Sequence, residues 1–166
     1  MMYFEDNFPG WSAGVNFKKL VTFTAGLNIS TGQTIQLNGL PIPTNEYITS
    51  NAIAAAGFAA AVPIYTFPND STTWKVTSAS VRFTTAGGSS AAAQVELSAS
   101  GTAPGSGTNQ LTAGMALTGT ANTVVNGTVI ASPTTASAGY SLNLVPSGTM
   151  TGLVGMVVTV AMQRVS

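Results

Sequence analysis

Side chains that could carry out acid–base or nucleophilic chemistry are few and scattered in this chain of 166 residues. Histidine and cysteine are absent, which removes the commonest general base, the commonest transition-metal ligand and all thiolate and disulfide chemistry. The carboxylates are Glu5, Asp6, Glu46, Asp70 and Glu96. No spacing among Glu46, Asp70 and Glu96 supports a glycosidase pair, and a serine activated by Lys75 has no further support. The sequence therefore predicts a protein that is not an enzyme and that binds no cofactor or metal.

The remaining candidate binding residues have simpler structural interpretations. A calcium site near Asp70 would contain one carboxylate, whereas such sites usually recruit several. Arg82 is predicted to pair with Glu96 on a neighbouring strand, a contact that would contribute about 0.2–1 kcal/mol. Trp11 and Trp74 could be platforms for a sugar ring, but a tryptophan is more often an anchor in a core or an interface.

Charge is scarce, and this limits the classes of partner. Charged residues make up 6% of the chain and the formal net charge is zero, against a usual charged fraction of about 25%. Without clustered lysine and arginine no nucleic-acid partner is expected. Serine and threonine supply 40 residues, so that solubility depends on hydroxyl groups. A nearly neutral surface promotes association, which suits a protein that packs against many neighbours.

The sequence also predicts no association with a membrane. The most apolar stretch, residues 52–62, is too short to span a bilayer. The first residues lack the basic and apolar regions of a signal peptide, so synthesis and use without export are expected.

The alternation of apolar and polar residues along the chain predicts an all-β fold. Apolar and polar residues alternate over 91–98, and Val154, Met156, Val158, Val160 and Met162 share one face of a final strand. The other face of that strand is only partly polar, which predicts a central strand or one covered on both sides. Between Trp74 and Thr85 the alternation changes phase, which predicts a β-bulge near Thr77 or Ser78.

Three further segments are interpreted from local signals. Asn126-Gly127 lies between two pairs of apolar residues and favours a hairpin with a type I′ turn, the alternative being one strand with a bulge. Residues 50–61 could form one short helix capped by Ser50 or Asn51, although Gly57 weakens it. Residues 62–67 are predicted to be a strand.

The first twenty residues differ from the rest and are predicted to form an irregular N-terminal arm. They show no alternation, and they contain several aromatic residues that could pack under the domain or bind a partner. These candidate partner-binding residues are Tyr3, Phe4, Phe8, Trp11 and Phe17. The predicted organisation is an arm over residues 1–20 and an antiparallel β-sandwich over residues 21–166.

Residues 72–166 resemble a β-domain that recurs in the virion proteins of tailed phages. The similarity lies in the runs WKVTSASVRFTTAGG (74–88), QVE (94–96), TAPGSGT (102–108), LTGTANTV (117–124) and GTMTGLVGMVVTV (148–160). In those proteins the domain serves as a capsid decoration, or cement, protein, as a head fibre or as a tail-associated protein. The resemblance implies a jelly-roll-like sandwich and a homotrimer.

This resemblance implies two alternative functions. The first is a cement protein on the capsid surface of the virion that binds the major capsid protein across capsomers and stiffens the head. The second is a fibre or receptor-binding module that recognises a glycan or protein of the host surface. Length and the lack of an internal repeat favour the cement protein, and a polysaccharide-degrading enzyme is a distant third.

Overall fold

A computed structural model describes residues 36–37, 40–41 and 45–165, with side chains described over 45–165. The chain divides into two units, Met1–Ile42 and Pro43–Ser166. In the first unit, β1 (Gln36–Leu37) and β2 (Leu40–Pro41) form an antiparallel pair in which Leu37 lies opposite Leu40. The predicted arm over residues 1–20 and its five aromatic residues lie outside the described residues.

The second unit is an antiparallel β-sandwich built from two five-stranded sheets. The first, called the β5 sheet, has the order β10-β5-β12-β3, with β9 also pairing with β5. The second, called the β6 sheet, has the order β4-β11-β6-β7, with β8 also pairing with β6. The strands are β3 (Asn45–Thr49), β4 (Val62–Thr66), β5 (Trp74–Arg82), β6 (Ala92–Ser98), β7 (Thr108–Asn109), β8 (Met115–Ala116), β9 (Val125–Gly127), β10 (Thr135–Ala136), β11 (Ser141–Ser147) and β12 (Val157–Arg164). The predicted all-β, jelly-roll-like antiparallel sandwich is confirmed.

The core lies between the two sheets and uses the alternation seen in the sequence. From β6 it takes Ala93, Val95 and Leu97, and from β12 it takes Val158 and Val160, all nearly or fully buried. Burial of such side chains stabilises a domain by roughly 25 cal/mol per Å² of apolar surface. Strand β12 lies between β5 and β3, which confirms its predicted central position.

The bulge predicted from the phase change in β5 is present. Ala161 of β12 lies opposite Ser78 and the next residue, Met162, lies opposite Val76, so Thr77 has no partner in the ladder. The Thr77 hydroxyl donates to the carbonyl oxygen of Ala161 at 3.2 Å. The extra residue shifts the alternation by one position. Val76 before the bulge and Ala79 and Val81 after it can therefore all face the core.

Val154 departs from the prediction that it shares the buried face of the last strand. It precedes β12, its side chain is 49% exposed, and its backbone pairs with Thr85 in an isolated bridge. Gly155, with φ of +61°, separates Val154 from the strand and breaks the alternation there.

The short helix predicted over residues 50–61 is wrong. Only Ala55–Phe58 is helical, as one 3-10 turn, and no side chain caps it. Ser50 instead extends the pairing of β3 with β12: its backbone N–H donates to the carbonyl of Val158 at 2.9 Å and its hydroxyl accepts from the Val158 N–H at 3.0 Å. Pairing with a buried strand thus overrides the helix propensity of the alanines. No helix in the described part of the chain has the length and apolar character needed to cross a membrane.

The hairpin predicted at Asn126-Gly127 is also wrong. Both residues belong to strand β9, which pairs with β5, and neither has the positive φ that a type I′ turn requires. Glycine is needed at this position for close packing. A Cβ atom on Gly127 would lie 2.7 Å from Leu111 Cδ1 and 3.0 Å from Met115 Cγ.

Replacing Gly127 by alanine is therefore expected to destabilise the domain by about 1–3 kcal/mol, because the added methyl group overpacks the contact with Leu111 and Met115. The control is Gly119→Ala, since a Cβ at Gly119 would meet nothing within 4 Å. Chemical denaturation of both variants checks the prediction. Equal midpoints for the two would show that the close approach of β9 is not what requires glycine.

Candidate functional site

The carboxylates singled out in the sequence are separated in the fold. Glu46 is exposed on edge strand β3, Asp70 lies in the loop between β4 and β5, and Glu96 is buried on β6. No group of three or more acidic residues that could hold a metal ion occurs within the described residues.

Asp70 serves its own loop. Its Oδ1 accepts hydrogen bonds from the backbone N–H of Thr72 at 2.9 Å and from the Thr72 hydroxyl. Both bonds favour the charged carboxylate and lower the pKa of Asp70. The Thr72 hydroxyl in turn accepts from Trp74 Nε1 at 3.1 Å. Trp74 is partly buried against the core, so the carboxylate and the tryptophan are joined through one threonine.

The predicted pair between Arg82 and Glu96 does not exist. Arg82 is on β5 and Glu96 is on β6, which belong to different sheets. The Arg82 guanidinium donates instead to Asn122 Oδ1 at 3.5 Å. The alternation in the two strands is real, but it does not indicate which strands are neighbours.

Glu96 is a buried carboxylate, although the alternation over residues 91–98 puts it among the polar residues of its strand. It does lie on the outer face of its sheet, yet only 2% of its surface is exposed. The loop over residues 99–107, between β6 and β7, explains the burial. One Glu96 oxygen, Oε1, accepts from the Ser98 hydroxyl at 2.8 Å, from the Gly105 N–H at 2.8 Å and from Asn143 Nδ2 at 3.1 Å.

The hydrogen bonds around Glu96 decide its charge state. Burial acts to raise the pKa of this carboxyl, but hydrogen bonds from Ser98, Gly105, Asn143 and Gly107 outweigh it, so the pKa lies below its usual value. The carboxylate is therefore ionised near neutral pH and fixes its own loop. A group already satisfied in this way is not placed to act as a catalytic acid.

An open groove of about 540 Å³ lies on the outer side of the β5 sheet. We call it the Arg82 groove. Its lining combines one charged side chain with small hydroxyl and apolar residues. These are Ala52, Ser80, Val81, Arg82, Thr84, Val124, Gly155, Val157 and Thr159.

Large apolar side chains are exposed on the groove's edge and elsewhere on the unit. Val124, which lines the groove, is 61% exposed, and Val154, next to Gly155 of the lining, is 49% exposed. Tyr47 on edge strand β3 is 71% exposed. None of these three was singled out as a binding residue from the sequence. The one available signal was an apolar residue in a polar segment, which also describes many ordinary surface positions.

No protein-family model matches the chain, and no curated protein matches it. Among solved structures, a chain of the cyanophage Pam1 capsid asymmetric unit is similar. The two are 11% identical, the match covers 84% of this chain and 98% of that chain, and the TM-score is 0.43.

Proposed function

We propose that this protein is a non-enzymatic structural component of a phage virion, a cement protein that decorates the capsid and binds across capsomers. The observation that carries the proposal is the surface of the sandwich. Charged residues are 6% of the chain, and Tyr47, Val124 and Val154 expose large apolar side chains. Such a surface repels neighbours weakly, and covering each of these side chains in an interface would add favourable apolar burial. The resemblance of residues 72–166 to tailed-phage virion domains supports the same function.

The use of the polar groups also favours a structural role. Within the described residues, the buried carboxylate Glu96 and the exposed carboxylate Asp70 both hold their own loops through hydrogen bonds. The hydroxyl that each carboxylate binds, from Thr72 or from Ser98, belongs to the same network of hydrogen bonds that holds the loop.

The partners of the cement protein would be the major capsid protein and further copies of this chain. We propose a homotrimer. Strand β3 is at the edge of the β5 sheet and carries the exposed Tyr47, and an edge strand with such a side chain favours contact with another copy. The arm residues Tyr3, Phe4, Phe8, Trp11 and Phe17 are proposed as the capsid anchors, because aromatic side chains dominate the energetics of interfaces.

A receptor-binding module on a fibre is the second candidate. The Arg82 groove favours it, since hydroxyl groups beside a cation could bind a glycan or a host protein.

The two candidates differ in what they do to a shell. A cement protein is expected to raise the temperature at which DNA-filled heads release their DNA, because each copy buries surface across a joint and the contributions add over the shell. The measurement heats heads stripped of the protein and heads to which the protein has been added back. A dye that binds released DNA reports the temperature at which each kind of head opens. Equal release temperatures, together with inhibition of host adsorption by the isolated protein, would support the fibre module instead.

A further inference from the structure

We infer that the Arg82 groove is a docking site for an extended peptide segment in which a carboxylate lies next to an apolar side chain. The inference deepens the proposed function, since it assigns this segment to the capsid protein that the cement protein covers. It rests on the charge of the groove, on its lining and on the way its shape is maintained.

Within the part of the chain that the structure describes, the groove is positively charged and no acidic side chain lines it. Arg82 is the one charged residue in the lining, and within the described residues its polar contact is the long bond of 3.5 Å to the neutral amide oxygen of Asn122. Guanidinium groups form their strongest contacts with carboxylates, often through two parallel hydrogen bonds. A partner with a carboxylate would therefore complement this groove better than a neutral partner.

The backbone of Asn122, which lies beside the guanidinium, has a defined place in the fold. Asn122 has a φ of +63°, which is uncommon outside glycine, and its backbone N–H donates to the Phe83 carbonyl at 2.8 Å. Since Phe83 is fully buried, this bond ties the turn that carries Asn122 to the core. Its side-chain oxygen thereby lies 3.5 Å from the Arg82 guanidinium, a contact long enough to leave the guanidinium donors available to a partner.

The lining beside Arg82 suits one apolar side chain and a polar backbone. Val124 and Val157 provide apolar surface, while the hydroxyl groups of Ser80 and Thr159 can bond to peptide groups. An extended peptide offers both, because successive side chains point to opposite sides and its backbone groups stay available.

The groove is kept open by a glycine. Gly155 has a φ of +61°, and a Cβ at this position would lie 2.6 Å from the Thr84 hydroxyl oxygen, which itself donates to the Val154 carbonyl at 2.9 Å. The segment before β12 can therefore lie close against Thr84 without a side chain filling the groove.

A second groove of about 630 Å³ provides a contrast. It lies between the 3-10 turn and the loop after β11, and its lining includes Ala56, Phe58, Pro146 and Met150. None of its lining residues is charged, so nothing there selects a partner by charge.

The test uses three short acetylated and amidated peptides with the sequence threonine, valine, X, valine, threonine, in which X is glutamate, glutamine or lysine. Each is titrated into the isotope-labelled full chain and followed by amide chemical shifts. The glutamate peptide is expected to shift Ser80, Arg82 and Thr159 and to bind roughly tenfold more tightly than the glutamine peptide. In the Arg82→Glu variant the preference should reverse in favour of the lysine peptide.

Controls separate charge from folding. Lys75→Glu makes the same charge reversal on the same strand but outside the groove lining, and should leave the affinity for the glutamate peptide unchanged. Arg82→Gln removes the charge conservatively and should lower that affinity, and its amide spectrum reports whether the sandwich is intact. Equal affinities for the three peptides, shifts confined to another surface, or no binding at all would overturn the inference.

Capsid shells stripped of the protein distinguish this inference from the proposed function. If the wild type and the Arg82→Glu variant bind the shells equally well, the groove has no part in capsid recognition. The proposed cement function would then still stand. Failure of the wild type to bind shells would remove the cement function, and the peptide titration would still decide the chemistry of the groove. Self-association that Arg82→Glu abolishes would show that the occupant is a second copy, which also overturns the inference.

Discussion

Replacing Glu96 by alanine is expected to destabilise the sandwich by about 3–5 kcal/mol, because a buried carboxylate that accepts several hydrogen bonds is lost. The substitution leaves the Gly105 N–H without its acceptor, removes one of the two acceptors of the Asn143 amide, and breaks the link between β6 and the loop over residues 99–107. Urea denaturation followed by tryptophan fluorescence measures the effect. The matched control is Glu46→Ala, since Glu46 is an exposed carboxylate on a strand, and its replacement should change stability by less than about 0.5 kcal/mol.

The same network predicts how stability depends on pH. The folded-state pKa of Glu96 lies below its usual value, so its contribution is fully present above that usual value and is lost as the pH falls through the lower folded-state pKa. The pKa of the Asp70 carboxyl is also lowered, but Asp70 is present in both the wild type and the Glu96→Gln variant. Its contribution to the pH dependence therefore has the same direction in both proteins. The difference in unfolding free energy between wild type and Glu96→Gln should therefore shrink on acidification. If this difference in unfolding free energy stays constant from neutral to strongly acidic pH, the ionised form of Glu96 does not stabilise the loop.

Replacing Phe8 and Trp11 together by alanine is expected to weaken binding to capsid shells by more than about 100-fold, because two aromatic anchors at an interface each contribute about 2 kcal/mol or more. Deletion of residues 2–19 should abolish binding and leave the β-sandwich folded, since the core described above uses residues beyond this segment. Quantitative pelleting of labelled protein with shells gives the affinities.

The control for the arm is Lys18→Ala with Lys19→Ala, which alters two charges in the same segment and keeps all five aromatic residues. Its affinity should fall far less than that of the double aromatic variant. If the deleted protein binds shells as tightly as the full chain, the arm has no part in the mechanism and the contact must be made by the sandwich.

Local patterns in the sequence predicted the features that depend on neighbouring residues. The bulge at Thr77 follows from the parity of Val76 against Ala79 and Val81, which is visible over six residues. The central position of β12 follows from its two partly apolar faces. Both are consequences of the side-chain period of a strand and need no knowledge of other segments.

Features that depend on distant segments were missed or wrongly assigned. Glu96 has the position of a solvent-facing residue and becomes buried because the loop over residues 99–107 folds back across it. Gly127 follows an asparagine as in a tight turn, but it pairs with Ala79 of β5 as part of a strand and lies close to Leu111 and Met115. The Arg82 groove joins β5, the loop before β9 and the segment before β12, and no local pattern brings these three together.

A paired co-sedimentation measurement decides whether the protein acts as a capsid cement. Purified full-length protein is mixed in parallel with capsid shells stripped of it and with envelopes of the host cell, and bound protein is quantified after centrifugation. A cement protein is expected to bind the shells saturably and not to bind the envelopes. Binding to envelopes without binding to shells would contradict it.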